Sequence, residues 1–142
     1  MAKLTLQQAN KIIEGALAKA REMKIKPLGV VVLDESGHLK AAQREDAASM
    51  FRIDIATGKA WAAVGMGASS RALAARAKDN PNFFVTLAAT AGGRFLPQTG
   101  AVLIRDAAGE LLGAAGASGG TGEEDEAACK YGIEHAGLVA ET

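Results

Sequence analysis

The sequence lacks the features that would indicate an oxidising compartment or a charged polymer as partner. It has one cysteine, Cys129, so no internal disulfide can form. Its 16 basic residues balance 16 acidic ones, and a chain without net charge offers little attraction to a phosphate backbone. We therefore expect no nucleic-acid partner.

Long apolar runs are also missing. The longest aliphatic stretch, residues 28–33, is far shorter than the roughly 20 residues needed to cross a bilayer. The first residues lead directly into a polar helix pattern and lack the apolar core of a signal peptide. We expect a cytoplasmic protein without a membrane partner, and 142 residues suit a single domain over residues 1–142.

Aromatic residues make up only 4% of the chain, whereas alanine is abundant and glycine occurs 17 times. The core must therefore depend on the close approach of elements with small side chains. Alanine has the highest helix propensity, which favours a largely helical chain.

Periodicity, caps and turns predict the element order α-β-β-α-α-α-β-β-α. Thr5 with Gln8 and Thr121 with Glu124 have the spacing of capping boxes, which open the first and last helices. Two segments have the same turn chemistry, Asp followed three residues later by Gly, at residues 34–37 and 106–109. The predicted helices span residues 5–23, 50–64, 70–78, 80–89 and 121–137, and the strands span 28–33, 38–44, 102–105 and 110–115. This order predicts an α+β fold in which helices pack on an antiparallel sheet built from two hairpins.

No charged residue occurs from Ala60 through Ser70, a segment that begins in the helix containing Lys59. This helix has apolar or small residues on both sides. A helix of this kind is buried on both sides, and in so small a chain the second side points to another copy. We therefore expect a homo-oligomer. Lys59 itself has two interpretations: its ammonium group extends to solvent past the apolar surface, or it contacts a ligand.

Asp125 opens a stripe of small residues that continues through Cys129, Gly132 and Ala136 and suits close packing. Burial on this stripe requires a hydrogen-bond donor for the carboxylate, either from loop amides or from a distant basic residue. A structural cap and a chemical role both remain open. The neighbouring Glu126 is expected to pair with Lys130 on a solvated face.

The glycine-rich run at residues 113–122 joins a strand to a helix, as phosphate-binding loops do. The acidic residues at 123–126 would repel an anion there, and the loop lacks the sequence of a nucleotide motif. No Cys or His spacing matches a zinc site, so we expect no metal held by the protein alone.

Four segments, in this order, resemble the GlcG/HbpS family, which includes the haem-binding C-terminal domain of PduO-type cobalamin adenosyltransferases. The similar segments are residues 30–39 (VVVLDESGHL), 44–48 (REDAA), 54–61 (DIATGKAW) and 113–120 (GAAGASGG), the last followed by Asp125. The resemblance implies a profilin-like fold, an even-numbered homo-oligomer such as an octamer, and haem- or corrinoid-related function. The loop at residues 98–101 (QTGA) departs from the family pattern, which has a proline there.

Two functions are compatible with these residues. In a small-molecule binding protein for haem or a related tetrapyrrole, cationic side chains would hold the propionates, and other residues would line the slot or ligate the iron. The candidate cations are Arg44, Lys59, Arg71 and Arg94, and the slot or ligand candidates are His38, Met66 and Phe95. Alternatively, a cofactor-free enzyme would act on a small organic acid, with Arg44 holding the carboxylate and Asp125 or Lys59 transferring a proton.

Overall fold

The computed structural model describes residues 3–142 and has the predicted order of elements, with one strand added at the end. The elements are α1 (Leu6–Glu22), β1 (Gly29–Asp34), β2 (Leu39–Arg44), α2 (Phe51–Met66), α3 (Ser70–Asp79), α4 (Pro81–Thr90), β3 (Ala101–Arg105), β4 (Leu111–Ser118), α5 (Gly122–His135) and β5 (Val139–Glu141). Within residues 3–142, no helix combines the length and the apolarity needed to cross a membrane.

Both predicted capping boxes are present. The Thr5 side chain accepts a hydrogen bond from the amide of Gln8, and Thr121 accepts one from the amide of Glu124. The predicted start of α3 is shifted by one residue, because Ser69 is the N-cap. The hydroxyl of Ser70 instead accepts from the amide of Ala101 at 2.7 Å and thereby connects α3 to β3.

The sheet is antiparallel in the order β2-β1-β4-β3-β5. The two predicted hairpins, β1–β2 and β3–β4, are joined through pairing of β1 with β4. The prediction of a sheet built from two hairpins was incomplete, because a fifth strand, the three-residue β5, pairs with the outer edge of β3. The α+β, profilin-like fold class is otherwise confirmed.

The turn chemistry is as predicted. The Asp34 carboxylate accepts from the amides of Ser36 and His38, and Asp106 accepts from the amide of Glu110. Gly37 and Gly109 have φ values of 82° and 87°, which a residue without a Cβ adopts most easily. These turns fix the register of both hairpins.

Helices cover both faces of the sheet. On one face α1 and α5 pack over Val30, Val32 and the neighbouring strands, and on the other α2 packs over Val31 and Leu33. The predicted stripe of small residues lies at the contact of α5 with α1. A methyl group at Gly132 would lie 2.2 Å from the carbonyl oxygen of Ile12, so only glycine permits this approach.

Within one chain, helix α2 is buried against the sheet and, at Ala62, against Leu73 of α3 and Phe84 of α4. Three alanines of α2 that face the sheet, Ala56, Ala60 and Ala63, are fully buried. On the other side of the helix Val64 is half-buried and Gly65 is exposed. The prediction that a second copy covers the outer side thus stays a prediction.

Candidate functional site

Lys59 and Asp125 form a buried ion pair at the end of β4. The Lys59 ammonium group donates to Oδ2 of Asp125 at 3.2 Å and to the carbonyl of Ala117 at 3.0 Å. The second carboxylate oxygen of Asp125 accepts from the amide of Gly120 at 2.9 Å. Both donors that the sequence allowed for Asp125 are therefore present. The side chain of Lys59 is only 7% exposed, so the interpretation in which it extends to solvent was wrong.

Burial dominates the electrostatics of Asp125. Desolvation raises the pKa of its carboxyl group above the usual value, although the Lys59 ammonium and the Gly120 amide both act to lower it. A carboxylate with a raised pKa is a stronger base than an ordinary one, and here it lies beside an amine that carries protons.

A pocket of about 400 Å³ opens beside this pair, between α2 and the start of α5. Its polar wall includes Arg52, whose Nη1 donates to the hydroxyl of Ser118 at 3.1 Å. Arg52 was not predicted as a site residue, because no local sequence pattern indicates that its side chain contacts the end of a strand 66 residues away. The other lining residues are Ile55, Leu96, Gln98, Thr99, Gly120, Gly122 and Glu123.

A second ion pair connects α3 to α5. Arg71 Nε donates to Glu126 at 3.0 Å, and the Glu126 side chain is 7% exposed. The predicted pair of Glu126 with Lys130 on a solvated face was wrong. Glu126 lies on the side of α5 that meets α3, where Arg71 is the cation within reach.

Other predicted site residues lie apart from this pocket. His38 is exposed directly after the β1–β2 turn, and Met66 is half-buried at the end of α2. Arg44 lies in a different cleft, beside Glu45 and Asp46, and its Nη1 donates to the carbonyl of Ala48 at 2.6 Å.

A mostly apolar groove of about 510 Å³ lies on the outer side of α2. It is lined by Asp54, Ile55, Thr57, Gly58, Gly93, Arg94 and Leu96. The guanidinium carbon of Arg94 lies 4.4 Å from the centre of the Trp61 ring, which fixes this cation by a cation–π contact at the edge of the groove. Phe95, by contrast, points inward and packs against Phe84.

Among residues 3–142, no group of three or more His, Cys, Asp or Glu side chains is placed to hold a metal ion. Cys129 is buried, and desolvation raises the pKa of its thiol, so it is held as a neutral side chain near the carbonyl of Gly100.

Sequence comparison identifies one matching family. The family model described as "Haem degrading protein HbpS-like" matches residues 4–134. A comparison with curated protein sequences finds no significant match.

Solved structures share the fold over most of the chain. The PduOC–haem complex has a TM-score of 0.86 at 22% identity and covers 99% of this chain and 100% of its own. A double mutant of Streptomyces reticuli HbpS has a TM-score of 0.82 at 27% identity, with 94% and 87% covered. Klebsiella pneumoniae protein ORFY has a TM-score of 0.86 at 23% identity, with 96% and 93% covered.

Proposed function

The chain belongs to the HbpS-like family, as its sequence motifs indicated, and from this premise we propose that it binds haem or a related tetrapyrrole. A structure with the same fold, that of PduOC, was solved as a haem complex. The observation in this chain that carries the proposal is the apolar groove on the outer side of α2, with a fixed cation at its edge.

The size and the lining of the groove support a tetrapyrrole ligand. Its volume of about 510 Å³ falls within the range of ligand pockets, roughly 300–1,000 Å³. Ile55 and Leu96 supply the apolar wall on which a macrocycle would lie. Gly58 lets the segment that carries Arg94 and Leu96 lie directly on α2, since a Cβ there would be 3.0 Å from the Leu96 Cβ.

Two polar side chains of the groove have separate roles in this proposal. Arg94 would pair with a propionate, because its side chain is exposed and its guanidinium already lies over the Trp61 ring at the edge of the groove. The Thr57 hydroxyl donates to the carbonyl of Ile53 at 2.7 Å, which leaves an oxygen lone pair that would help to hold the haem iron. Bound haem would supply a redox-active iron at this surface.

Self-association is part of the proposal. One protomer covers only one side of a ligand in an open groove, and large apolar side chains remain exposed nearby on α2 and α4. These are Met50, Phe51, Phe83 and Val85, between 51% and 74% exposed. An even-numbered homo-oligomer, such as the octamer that the resemblance implies, would bury such residues. Sedimentation velocity measures its size.

Titration with haemin tests the proposal. We expect a Soret band that is shifted from that of free haemin and saturates at a fixed ratio of haemin to protomer. Arg94→Gln should weaken binding by up to about fivefold, because exposed ion pairs contribute about 1 kcal/mol or less. Arg76→Gln, which removes an exposed arginine of α3 outside the groove, is the matched control and should leave binding unchanged. A spectrum that stays that of free haemin at every ratio would contradict the proposal.

A further inference from the structure

The charged side chains of the pocket beside Lys59 and Asp125 are not used by the haem proposal, and not all of them are paired. The Lys59 ammonium is neutralised by Asp125. The half-buried Arg52 donates only to the neutral hydroxyl of Ser118 and has no carboxylate partner within residues 3–142. A guanidinium in a concave site without an acidic partner is a ready anchor for a carboxylate.

The two cations converge although their backbone positions are two helical turns apart. Arg52 and Lys59 are seven residues apart on α2 and therefore project from nearly the same side, about 10 Å apart along the axis. Their side chains nevertheless bind two consecutive residues of β4, since Arg52 donates to the Ser118 hydroxyl and Lys59 donates to the Ala117 carbonyl. Consecutive Cα atoms are only about 3.8 Å apart. A molecule of a few carbon atoms would thus span both groups.

Charge in the pocket limits the ligand to a monoanion. Two carboxylates, Asp125 and the exposed Glu123, line the same walls as Arg52 and Lys59. A dianion such as a phosphate monoester would be repelled by them. A single carboxylate pairs directly with Arg52, since Lys59 is paired with Asp125 and the charge of Glu123 is exposed to solvent.

We propose that this pocket binds a short-chain carboxylate that carries a hydroxyl or carbonyl oxygen on the carbon next to the carboxylate. Arg52 holds the carboxylate, and the Ser118 hydroxyl orients the guanidinium. The second oxygen lies at the Lys59–Asp125 pair, which offers both a proton donor and an acceptor. Ile55 and Leu96 close the apolar side and exclude longer polar chains.

The site adjoins the haem groove and shares Ile55 and Leu96 with it, but Arg52, Lys59 and Asp125 line only this pocket. It is also where the alternative function, proton transfer on a small organic acid, would operate, with Arg52 in place of the predicted Arg44. Arg44 lies in another cleft, with two acidic neighbours.

Calorimetric titration with sodium lactate and with sodium pyruvate tests the site, and lactamide is the uncharged control. We expect saturable binding of at least one of the two acids and none of lactamide. Arg52→Gln keeps the side chain through Cδ and removes the guanidinium with its charge, so affinity should fall about tenfold or more. Arg76→Gln should bind as the unmodified chain does, and haemin binding should be the same in both variants.

Two results would overturn the inference: no saturable binding of either acid, or equal affinity in Arg52→Gln and the unmodified chain. The Arg52 guanidinium also connects α2 to the end of β4 through its hydrogen bond to Ser118, so the substitution removes a structural contact as well. If Arg52→Gln does not fold, the comparison of lactate with lactamide on the unmodified chain decides the matter. Equal binding of the acid and the amide contradicts a guanidinium anchor, whereas binding of the acid alone supports it.

Discussion

Lys59 and Asp125 meet around the end of β4 although their helices pack on opposite faces of the sheet, with 3.2 Å between Nζ and Oδ2. The pair therefore joins the two helical layers at one point. It also places a buried acid and a buried amine beside a pocket.

Removing one member of this pair should be costly. Lys59→Met leaves the Asp125 carboxylate buried without a compensating charge, and we expect the free energy of unfolding to fall by about 3–5 kcal/mol. The double variant Lys59→Met/Asp125→Leu should lose much less than the sum of the single variants, because no charge is then left unpaired. Urea denaturation measures the free energy of unfolding of the two single variants and of the double variant. Additive losses would show that the two side chains do not stabilise each other.

The raised pKa of Asp125 predicts a pH dependence of stability. Between the unfolded pKa, about 3.9, and the higher folded pKa, the folded chain binds more protons than the unfolded chain. The free energy of unfolding contributed by this group therefore falls as pH rises through that interval and is constant above it. Asp125→Asn has no such titration, so the stability of the unmodified chain relative to Asp125→Asn should decrease from about pH 4 upward. A relative stability that increases over this range would contradict the direction of the shift.

Two helical glycines should respond oppositely to alanine. Gly132→Ala places a methyl group 2.2 Å from the Ile12 carbonyl oxygen, which forces α1 and α5 apart and should cost about 1–3 kcal/mol. Gly65→Ala adds a methyl group with nothing within 4 Å and should raise stability by up to about 1 kcal/mol through helix propensity. Chemical denaturation of both variants compares them. Equal effects would mean that the close helix contact is absent.

Local sequence signals predicted the local structure well. The capping boxes at Thr5 and Thr121 and the turns at Gly37 and Gly109 each depend on residues within a few positions, so the sequence specifies them directly. The pairing of β5 with β3 at the sheet edge was missed, because β5 has only three residues and is stabilised by that pairing.

The site was predicted only in part, because its contacts are distant in sequence. The small-residue stripe correctly indicated that Asp125 is buried, and the uncharged helix indicated that Lys59 lies in an apolar region. No local pattern connects Lys59 to a carboxylate 66 positions away, or Arg71 to one 55 positions away. Glu126 was assigned to Lys130 because helical spacing is the only neighbour relation that a sequence shows directly.

Haemin titration of a variant with a filled groove is the most direct test of the proposal that a tetrapyrrole binds on the outer side of α2. Thr57→Trp enlarges a side chain that lines the groove on the outer side of α2 and does not line the Lys59–Asp125 pocket. Ala75→Trp adds the same side chain at an exposed position of α3 and is the control. We predict that Thr57→Trp lowers haemin affinity about tenfold or more, which corresponds to 1.4 kcal/mol or more of binding free energy, while Ala75→Trp binds as the unmodified chain does. Unchanged haemin affinity in a folded Thr57→Trp variant would contradict the assignment of this groove as the tetrapyrrole site.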